Sequence, residues 1–448
     1  MTDKGNDLRL YVLEILIKQE KTEEKLNLLI KDVLEDHRLK VEDRAFIKKL
    51  SEGTVERRIT LDHVIDRFSN VKSSKLKPVI RNILRMGIYQ ILFLDSVPAH
   101  AAINEAVKLT RKKHMGTLSG FVNAVLRSVE REGFKPEDIK EADIRYSCPR
   151  WIYEKFREDF GEERAVGILE NSLKRQPVYI RTNTVRVSPE ELLSLLREKG
   201  IMLKPAKNRD YAFSIEEYGD MTVLPEFKRG LFSVQDISSM SIGDEIRSIV
   251  RERKPSSFRI LDLCASPGGK SCHAAEILLS YIMEREDRIL KIPDFSVESR
   301  DISEKKRLLI EENRERLGLG IIRTAVRDAA AEDILPEERE AYDLIIADLP
   351  CSGLGVMGRK NDLKYRVRPE DLESLRELQR KMLVNAAQML KSRGTLIFSV
   401  CTVDREETVD QDLWIRDSLG FEKIRDKLVL PGEEESDGFY YGVYLHKL

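Results

Sequence analysis

The chain has 448 residues, with 77 lysines and arginines against 78 aspartates and glutamates, and therefore a formal net charge of −1. At about 150 residues per domain, this length predicts roughly three domains. The content of 35% charged and 41% hydrophobic residues excludes a wholly disordered chain and a membrane-embedded one. The most apolar stretch, Ile83–Leu94, contains Arg85 and Gln90 and is too short to span a bilayer.

The amino-terminal sequence MTDKGNDLRL lacks the apolar core of a signal peptide. The five cysteines are an odd number without C-x-x-C spacing, which predicts neither a disulfide framework nor a metal site. We therefore expect a reduced, cytoplasmic protein with no metal and no membrane contact. The near-zero net charge leaves nucleic-acid binding open, because phosphates respond to a local basic face.

Residues 1–135 are predicted to form an all-α domain. Leu8, Tyr11, Val12 and Ile15 have the spacing of one buried helix face. Further helical patterns lie at Glu42–Phe68, Lys75–Asp95, His100–Lys113 and Ser119–Arg131. Few alternating β-branched runs interrupt them, so a small helical bundle is the simplest interpretation.

A linker is predicted around Pro136 and Cys148-Pro149, and residues 145–241 have a mixed pattern. The helical runs in this region are Trp151–Phe160, Glu162–Leu173 and Pro189–Lys199, and the short strands are Val178–Thr182 and Leu231–Val234. This alternation predicts a compact α+β middle domain.

Residues 242–448 alternate apolar strands with helices. The predicted strands are Phe258–Leu263, Phe295–Glu298, Ile321–Val326, Asp343–Ala347 and Thr395–Val400, with Phe439–Leu445 as a candidate for the last. Continuous apolar runs are typical of strands buried on both faces, and alternation with helices predicts a parallel, doubly wound α/β sheet. The charged insertion Glu284–Ser296 lengthens one link and receives no functional interpretation.

A glycine pair follows the first of these strands, within the run LDLCASPGGK that ends at Lys270. Gly268 and Gly269 allow a ligand to approach the backbone, and the helix that follows offers free N–H groups to an anion. The spacing matches neither G-x-G-x-x-G nor the P-loop, so a simple tight turn is the alternative. Asp301 follows the second strand, where a carboxylate can bind ribose hydroxyls, and Asp328 follows the third, where it can face an adenine.

Two cysteines follow apolar strands of this sheet. Cys351 comes soon after the fourth strand, behind Asp348, and Cys401 comes directly after the fifth. A free cysteine is usually a small buried hydrophobe, so either one alone would be assigned to the core. The carboxyl ends of parallel strands, however, are where α/β sheets bind ligands, and both thiols are expected there.

Methylation of C5 of a pyrimidine is a reaction that needs such groups. That carbon becomes nucleophilic when a thiolate adds to C6. An acid close to the ring stabilises the charge that develops on it. A second polar group then assists loss of the C5 proton, after which the thiolate can leave.

The C-terminal half contains, in order, the motifs DLCASPGGK (262–270), DIS (301–303), RDAA (327–330), DLPCSGLG (348–355), RKNDLKYRVRPEDL (359–372), SVCTVDREE (399–407) and DGFYYGVYL (437–445). With these motifs it resembles the RsmB/Nop2/Sun family of RNA cytosine-5 methyltransferases, which use S-adenosylmethionine. The resemblance implies a Rossmann-like catalytic domain with Cys401 as nucleophile, Cys351 assisting product release and Asp348 at the pyrimidine. It implies that the cofactor site is formed by Cys264, Ala265, Ser266, Pro267, Gly268, Gly269, Lys270, Asp301, Asp328 and Asp348. The family commonly has threonine and serine where this chain has Val400 and Thr402.

The upstream sequence narrows the expected substrate. The stretch Arg81–Arg127 is similar to the NusB-like domain of the RsmB branch, which modifies small-subunit ribosomal RNA. The resemblance therefore implies three domains, over 1–135, 145–241 and 242–448, and we expect a monomer. The basic residues placed to hold RNA near the target base are Arg359, Lys360, Lys364, Arg366 and Arg368. Two alternatives are the same chemistry on tRNA and an inactive RNA-binding assembly factor.

Overall fold

A computed structural model describes residues 7–35, 39–174, 176–215, 219, 221–284 and 294–447. The insertion singled out in the sequence lies largely outside these residues, since 285–293 are not described. No helix in the described ranges combines the length and the apolar character needed to cross a bilayer.

The helices are α1 Leu8–Thr22, α2 Leu26–Leu34, α3 Val41–Glu56, α4 Arg58–Phe68, α5 Pro78–Phe93, α6 Ala99–Lys112, α7 Ser119–Glu132, α8 Ala142–Arg145, α9 Arg150–Phe160, α10 Glu162–Ser172, α11 Pro189–Arg197, α12 Pro225–Lys228, α13 Ile237–Arg253, α14 Gly269–Met283, α15 Glu304–Leu317, α16 Leu363–Arg366, α17 Pro369–Met389 and α18 Val409–Leu419. The strands are β1 Val178–Thr182, β2 Leu203–Ala206, β3 Arg209–Ile215, β4 Phe232–Val234, β5 Phe258–Asp262, β6 Phe295–Asp301, β7 Ile322–Val326, β8 Tyr342–Asp348, β9 Leu390–Val400, β10 Glu422–Val429 and β11 Phe439–Leu445.

The described residues divide into two compact units. The first contains the residues up to Lys174 together with Met357–Val367, and the second contains Arg175–Val356 and Arg368–Leu448. The helical amino-terminal domain predicted from the sequence is confirmed, with a core built mainly from α1 to α7. The helix predicted over Glu42–Phe68 is two helices, because α3 ends at Glu56 and α4 begins at Arg58.

Within the second unit, a small antiparallel sheet has the strand order β2-β3-β1-β4. Helix α11 covers one face, with Leu192 and Leu196 in the core, and α13 contributes Ile237 and Met240 to the other. The sequence predicted β1 and β4 and missed the hairpin of β2 and β3. Because helices pack on both faces of this small sheet, the α+β character predicted for this region is confirmed.

The larger sheet of the second unit has the order β10-β11-β9-β8-β5-β6-β7. Strands β5 to β9 are parallel, whereas β11 runs antiparallel to both β9 and β10. Alternate residues supply two cores: Ile260 and Ile346 belong to one and Leu261 and Ile345 to the other. The sheet is thus buried on both faces, and the carboxyl ends of its parallel strands meet at one edge, where the chemistry-bearing residues lie.

Candidate active site

The turn between β5 and α14 is held by backbone hydrogen bonds and glycine. Gly268 has φ +102°, in the left-handed region that a side chain disfavours, and is the N-cap of α14. The amide of Ala265 donates to the carbonyl of Arg300 at 2.8 Å, which ties the turn to the end of β6. The N-cap Gly268 has no side chain to cap the first turn of α14, whose N–H groups lie just beyond the carboxyl end of β5.

The carboxylate of Asp301 is buried and accepts several hydrogen bonds. The Ser266 amide donates to Oδ2 at 3.0 Å and the Ile302 amide to Oδ1 at 2.8 Å. Lys306 lies 2.9 Å from Oδ1. Asp301 therefore positions the glycine turn. A carboxylate has about four acceptor sites, so capacity remains for a ligand hydroxyl.

Asp262, at the end of β5, is a buried acid that the sequence analysis did not single out. Its Oδ2 accepts from the Ser271 hydroxyl at 2.6 Å, while Oδ1 has no hydrogen-bond partner among the described residues. Burial raises the pKa of Asp262 to about 7, with the Ser271 hydrogen bond opposing the rise and the Asp348 charge adding to it. Asp262 is therefore a candidate group for binding a polar ligand.

Asp328 follows β7 and is exposed. Its Oδ1 accepts from the Ala330 amide at 2.9 Å, and Asn385 holds the same loop by donating to the carbonyls of Ala329 and Ala331. The loop lines a small cleft with Leu263. The position expected for an adenine contact is thus at the correct edge of the sheet.

Asp348, the last residue of β8, is fixed from two sides. Lys270 lies 2.6 Å from Oδ2, and the Ser399 hydroxyl donates to Oδ1 at 2.8 Å. Burial alone lowers the pKa of an ammonium, but the Asp348 carboxylate outweighs that effect and raises the pKa of Lys270. The pair joins the glycine turn to the thiol-bearing strands.

The two cysteines meet at the carboxyl ends of β8 and β9. The sulfurs of Cys351 and Cys401 are 3.4 Å apart, and both side chains are partly exposed. The contact with Cys401 and the burial of the site raise the pKa of the Cys351 thiol well above its usual range. The structure thus brings together the thiols that the sequence analysis selected.

The loops that carry these thiols approach each other closely. The Gly355 amide donates to the carbonyl of Cys401 at 3.2 Å, and the Gly438 amide donates to the carbonyl of Gly355 at 2.8 Å. A Cβ added at Gly355 would lie 2.3 Å from the Gly438 oxygen, so this crossing requires glycine. The motifs around Cys351, Cys401 and Gly438, distant in sequence, form one site.

Four further residues of the site escaped the sequence analysis. Ser399 holds Asp348, and three others contact the residues that flank Cys351: Gln379, Thr402 and Glu407. The sequence does not distinguish buried polar side chains such as these from polar side chains exposed to solvent. For two of them the sequence does offer a signal: Ser399 is the first and Glu407 the last residue of the SVCTVDREE motif that contains Cys401.

The basic segment after Cys351 differs from expectation. Arg359, Lys360 and Arg368 are exposed, whereas Lys364 is only 5% exposed. Arg366 donates to Asp362 at 2.9 Å. The prediction that Lys364 contacts RNA is wrong for this structure, because its side chain is buried in the first unit.

Comparison with known proteins accounts for all three regions. The NusB family model matches residues 6–131, the RsmF/B-like ferredoxin-like domain matches 148–222, and the model described as 16S rRNA methyltransferase RsmB/F matches 251–445. A Bacillus subtilis protein named "Probable ribosomal RNA small subunit methyltransferase B" is 35% identical over 412 residues, which cover 90% of this chain and 87% of that protein. The chain belongs to the RsmB/F family of methyltransferases, and it is an enzyme of that class.

Solved structures show the same fold. The crystal structure of PH0851 covers 99% of this chain and 99% of its own, with a TM-score of 0.77 and 20% identity. The structure of NSun6 from Pyrococcus horikoshii with SFG covers 67% of this chain and 98% of its own, with a TM-score of 0.58 and 18% identity.

Proposed function

We propose that this enzyme transfers a methyl group from S-adenosylmethionine to C5 of a cytosine in small-subunit ribosomal RNA, through a covalent bond between Cys401 and C6 of the base. The observation that carries the proposal is the 3.4 Å contact between the Cys351 and Cys401 sulfurs, next to the strand end that presents Asp348. A pyrimidine C5 becomes a nucleophile only after a thiolate has added to C6. Few other reactions need two thiols and a carboxylate at one strand edge.

The residues of the glycine turn fit S-adenosylmethionine. The N–H groups of the first turn of α14 suit its carboxylate. Oδ1 of Asp262, which has no partner among the described residues, can accept from its ammonium, and Asp301 suits ribose hydroxyls. S-Adenosylmethionine, when bound, supplies the methyl group as an electrophile. The archaeal NSun6 was crystallised with SFG, an analogue of S-adenosylmethionine, which supports the same use of this fold.

The raised pKa of Cys351 is compatible with Cys401 as the nucleophile that the family resemblance implies. Cys401 attacks C6 as the thiolate, its proton having passed to solvent, while Cys351 stays neutral in this step because the contact with Cys401 and burial raise its pKa. The Asp348 carboxylate accepts a hydrogen bond from the exocyclic amino group of the cytosine and so holds C6 at the thiolate.

The second half of the reaction uses Cys351. Once the Cys401 sulfur is bonded to C6, it no longer raises the pKa of Cys351 as an anion, and Cys351 can lose its proton to solvent. The Cys351 thiolate removes the C5 proton, the electron pair re-forms the C5–C6 double bond, and the C6–S bond breaks with its pair returning to Cys401. The enzyme is thereby regenerated.

The substrate follows from the relatives. The Bacillus subtilis protein is named for the small ribosomal subunit RNA, and the NusB-type domain is expected to bind RNA in the cytoplasm. Within the basic segment, the exposed residues Arg359, Lys360 and Arg368 are the candidates for phosphate contact. The target base must be unpaired or extruded to reach the thiols.

The test is incubation of the protein with methyl-labelled S-adenosylmethionine and unmodified small-subunit RNA, followed by bisulfite sequencing. We expect label in the RNA and one protected cytosine. Transfer to tRNA in preference to ribosomal RNA would contradict the substrate. RNA binding without transfer to either would favour an inactive assembly factor.

A further inference from the structure

Cys351 is held in place differently from Cys401. Cys401 directly follows β9, whose residues up to Val400 pair with β11. Cys351 lies beyond the end of β8, in a loop without regular pairing. The position of its sulfur therefore depends on what holds the residues on either side of it.

Both neighbours of Cys351 are bound by buried side chains. The Ser352 amide donates to Oε1 and Oε2 of Glu407, at 3.0 and 3.2 Å. The carbonyl of Pro350 accepts from Gln379 Nε2 at 2.9 Å, and the same Nε2 donates to Glu407 Oε1 at 3.1 Å. Glu407 and Gln379 thus enclose Cys351 from both sides.

The network is connected back to Cys401. The hydroxyls of Ser352 and Thr402 are 2.9 Å apart, and Thr402 directly follows Cys401. Thr402 replaces the serine common in the family and still supplies a hydroxyl. The loop of each thiol is therefore hydrogen-bonded to the loop of the other, which fixes the distance between the sulfurs.

Gln379 has a fixed orientation. Its Oε1 accepts from Gln411 Nε2 at 2.9 Å, while Gln411 Oε1 accepts from Arg380 at 3.0 Å. This relay leaves Nε2 of Gln379 directed at Pro350 and Glu407.

Burying the Glu407 carboxylate costs free energy, and packing alone does not explain why an acid occupies this position. Its side chain is fully buried, and this burial raises its pKa to about 7. Its carboxylate accepts from the Ser352 amide and from Gln379, and its own backbone amide donates to Asp404 Oδ2 at 3.3 Å. A buried acid with such partners orients the Cys351 loop.

We propose that Glu407 is a positioning residue for Cys351. By holding Cys351 in place, Glu407 speeds release of the methylated base and leaves formation of the Cys401 adduct unchanged. This inference rests on the proposed function. Without Glu407, the Ser352 amide loses its acceptor and the Cys351 sulfur moves relative to the C5 proton that it must remove. Displacements of about 1 Å in a reacting group cost up to about a hundredfold in rate.

The experiment compares adduct formation and release in single turnovers of the full chain with S-adenosylmethionine and small-subunit RNA. The adduct is the protein–RNA species that survives denaturant. The variants are Glu407→Gln, Glu407→Ala, Gln379→Ala and Cys351→Ala, and the matched control is Glu406→Gln, because Glu406 is the adjacent glutamate, is partly exposed and accepts from Arg376. Thermal melting of each variant confirms folding.

We expect Glu407→Ala to form the adduct at the wild-type rate and to release it about tenfold to a hundredfold more slowly. Glu407→Gln keeps an acceptor for the Ser352 amide and should recover part of that loss, and Glu406→Gln should match the wild type. In the double variant Cys351→Ala with Glu407→Gln, release should be no slower than in Cys351→Ala alone.

Different results overturn different claims. If Cys351→Ala accumulates adduct and both Glu407 variants release it normally, the positioning role is wrong. It is also wrong if they slow formation and release equally, or if the double variant is slower than Cys351→Ala. If no variant forms an adduct, the proposed function itself fails, and the role of Glu407 fails with it.

Discussion

Two neighbouring stretches of this chain both contain motifs of the family, but their side chains contact different parts of the molecule. The first stretch, residues 348–355, contains Asp348, which accepts from Ser399, and Cys351, whose sulfur lies 3.4 Å from that of Cys401. The residues Met357–Val367 instead belong to the helical first unit. A motif alone therefore does not show whether its residues serve the reaction or the fold. The contacts that their side chains make in the structure show which of the two applies.

The partners of the second stretch are those of a folding element. Asp362 accepts from the Leu26 amide at 3.1 Å, at the start of α2. The Tyr365 hydroxyl lies 3.0 Å from the carbonyls of Glu56 and Ser147, and the Arg58 guanidinium covers its ring at 3.8 Å. These contacts anchor the segment in the first unit.

The largest effect is expected at Cys401, whose sulfur contacts that of Cys351 in the first stretch. Cys401→Ala should reduce turnover to background and abolish the denaturant-resistant adduct, because the sulfur proposed to add to C6 is removed. Cofactor binding and the melting temperature should stay at wild-type values. Methylation that persists in this variant, or an adduct formed through Cys351, would reverse the roles of the two thiols.

Lys364→Met tests the second stretch through pH. Burial lowers the pKa of Lys364 to about 8, below its unfolded value, so between about pH 8 and 10.5 the unfolded chain binds more protons and the contribution of Lys364 to stability rises with pH. At pH 7 the folded protein bears the full cost of the buried charge. The variant should therefore be more stable than the wild type by up to about 3 kcal/mol at pH 7, and by much less at pH 10.

Urea unfolding at the two pH values, with the exposed Lys360→Met as control, measures this difference. A variant that is less stable at pH 7 would show that the Lys364 ammonium makes favourable contacts that outweigh its burial.

Asp362→Ala should weaken the same element. The buried Leu26 amide would lose its acceptor, and Arg366 would lose its partner, which together cost about 1–3 kcal/mol. Methyl transfer below the unfolding transition should be retained. A loss of activity at full folding would instead assign Asp362 to the chemistry and remove the contrast between the two stretches.

The sequence predicted most of the catalytic sheet because buried parallel strands have continuous apolar runs. It missed β10, since Glu422–Val429 is a charged and largely exposed strand at the edge of the sheet. It also missed the antiparallel hairpin of β2 and β3, in which only part of the residues are buried. Strand edges and short hairpins therefore lack the signal that identified the core.

The sequence predicted those site residues that have a chemically reactive or charged side chain and that follow a predicted strand. Asp348, Cys351 and Cys401 follow apolar runs, so their common edge could be inferred. Glu407 and Gln379 could not, because their hydrogen bonds join segments distant in sequence. For the same reason Lys364 was misassigned: a lysine in a basic run has the pattern of a phosphate contact whether it is exposed or buried.

The smallest effect is expected at two exposed arginines, Arg359 within the second stretch and Arg368 directly after it. Arg359→Ala and Arg368→Ala should each weaken RNA binding a few-fold at moderate salt, because each exposed arginine is proposed to contact a phosphate without reading a base. The slope of log K against log salt should fall in magnitude by about 0.7 for each lost contact with single-stranded RNA. The rate of methyl transfer at saturating RNA should be unchanged. Unchanged affinity and slope in both variants would place the RNA elsewhere and leave Met357–Val367 with a purely structural role.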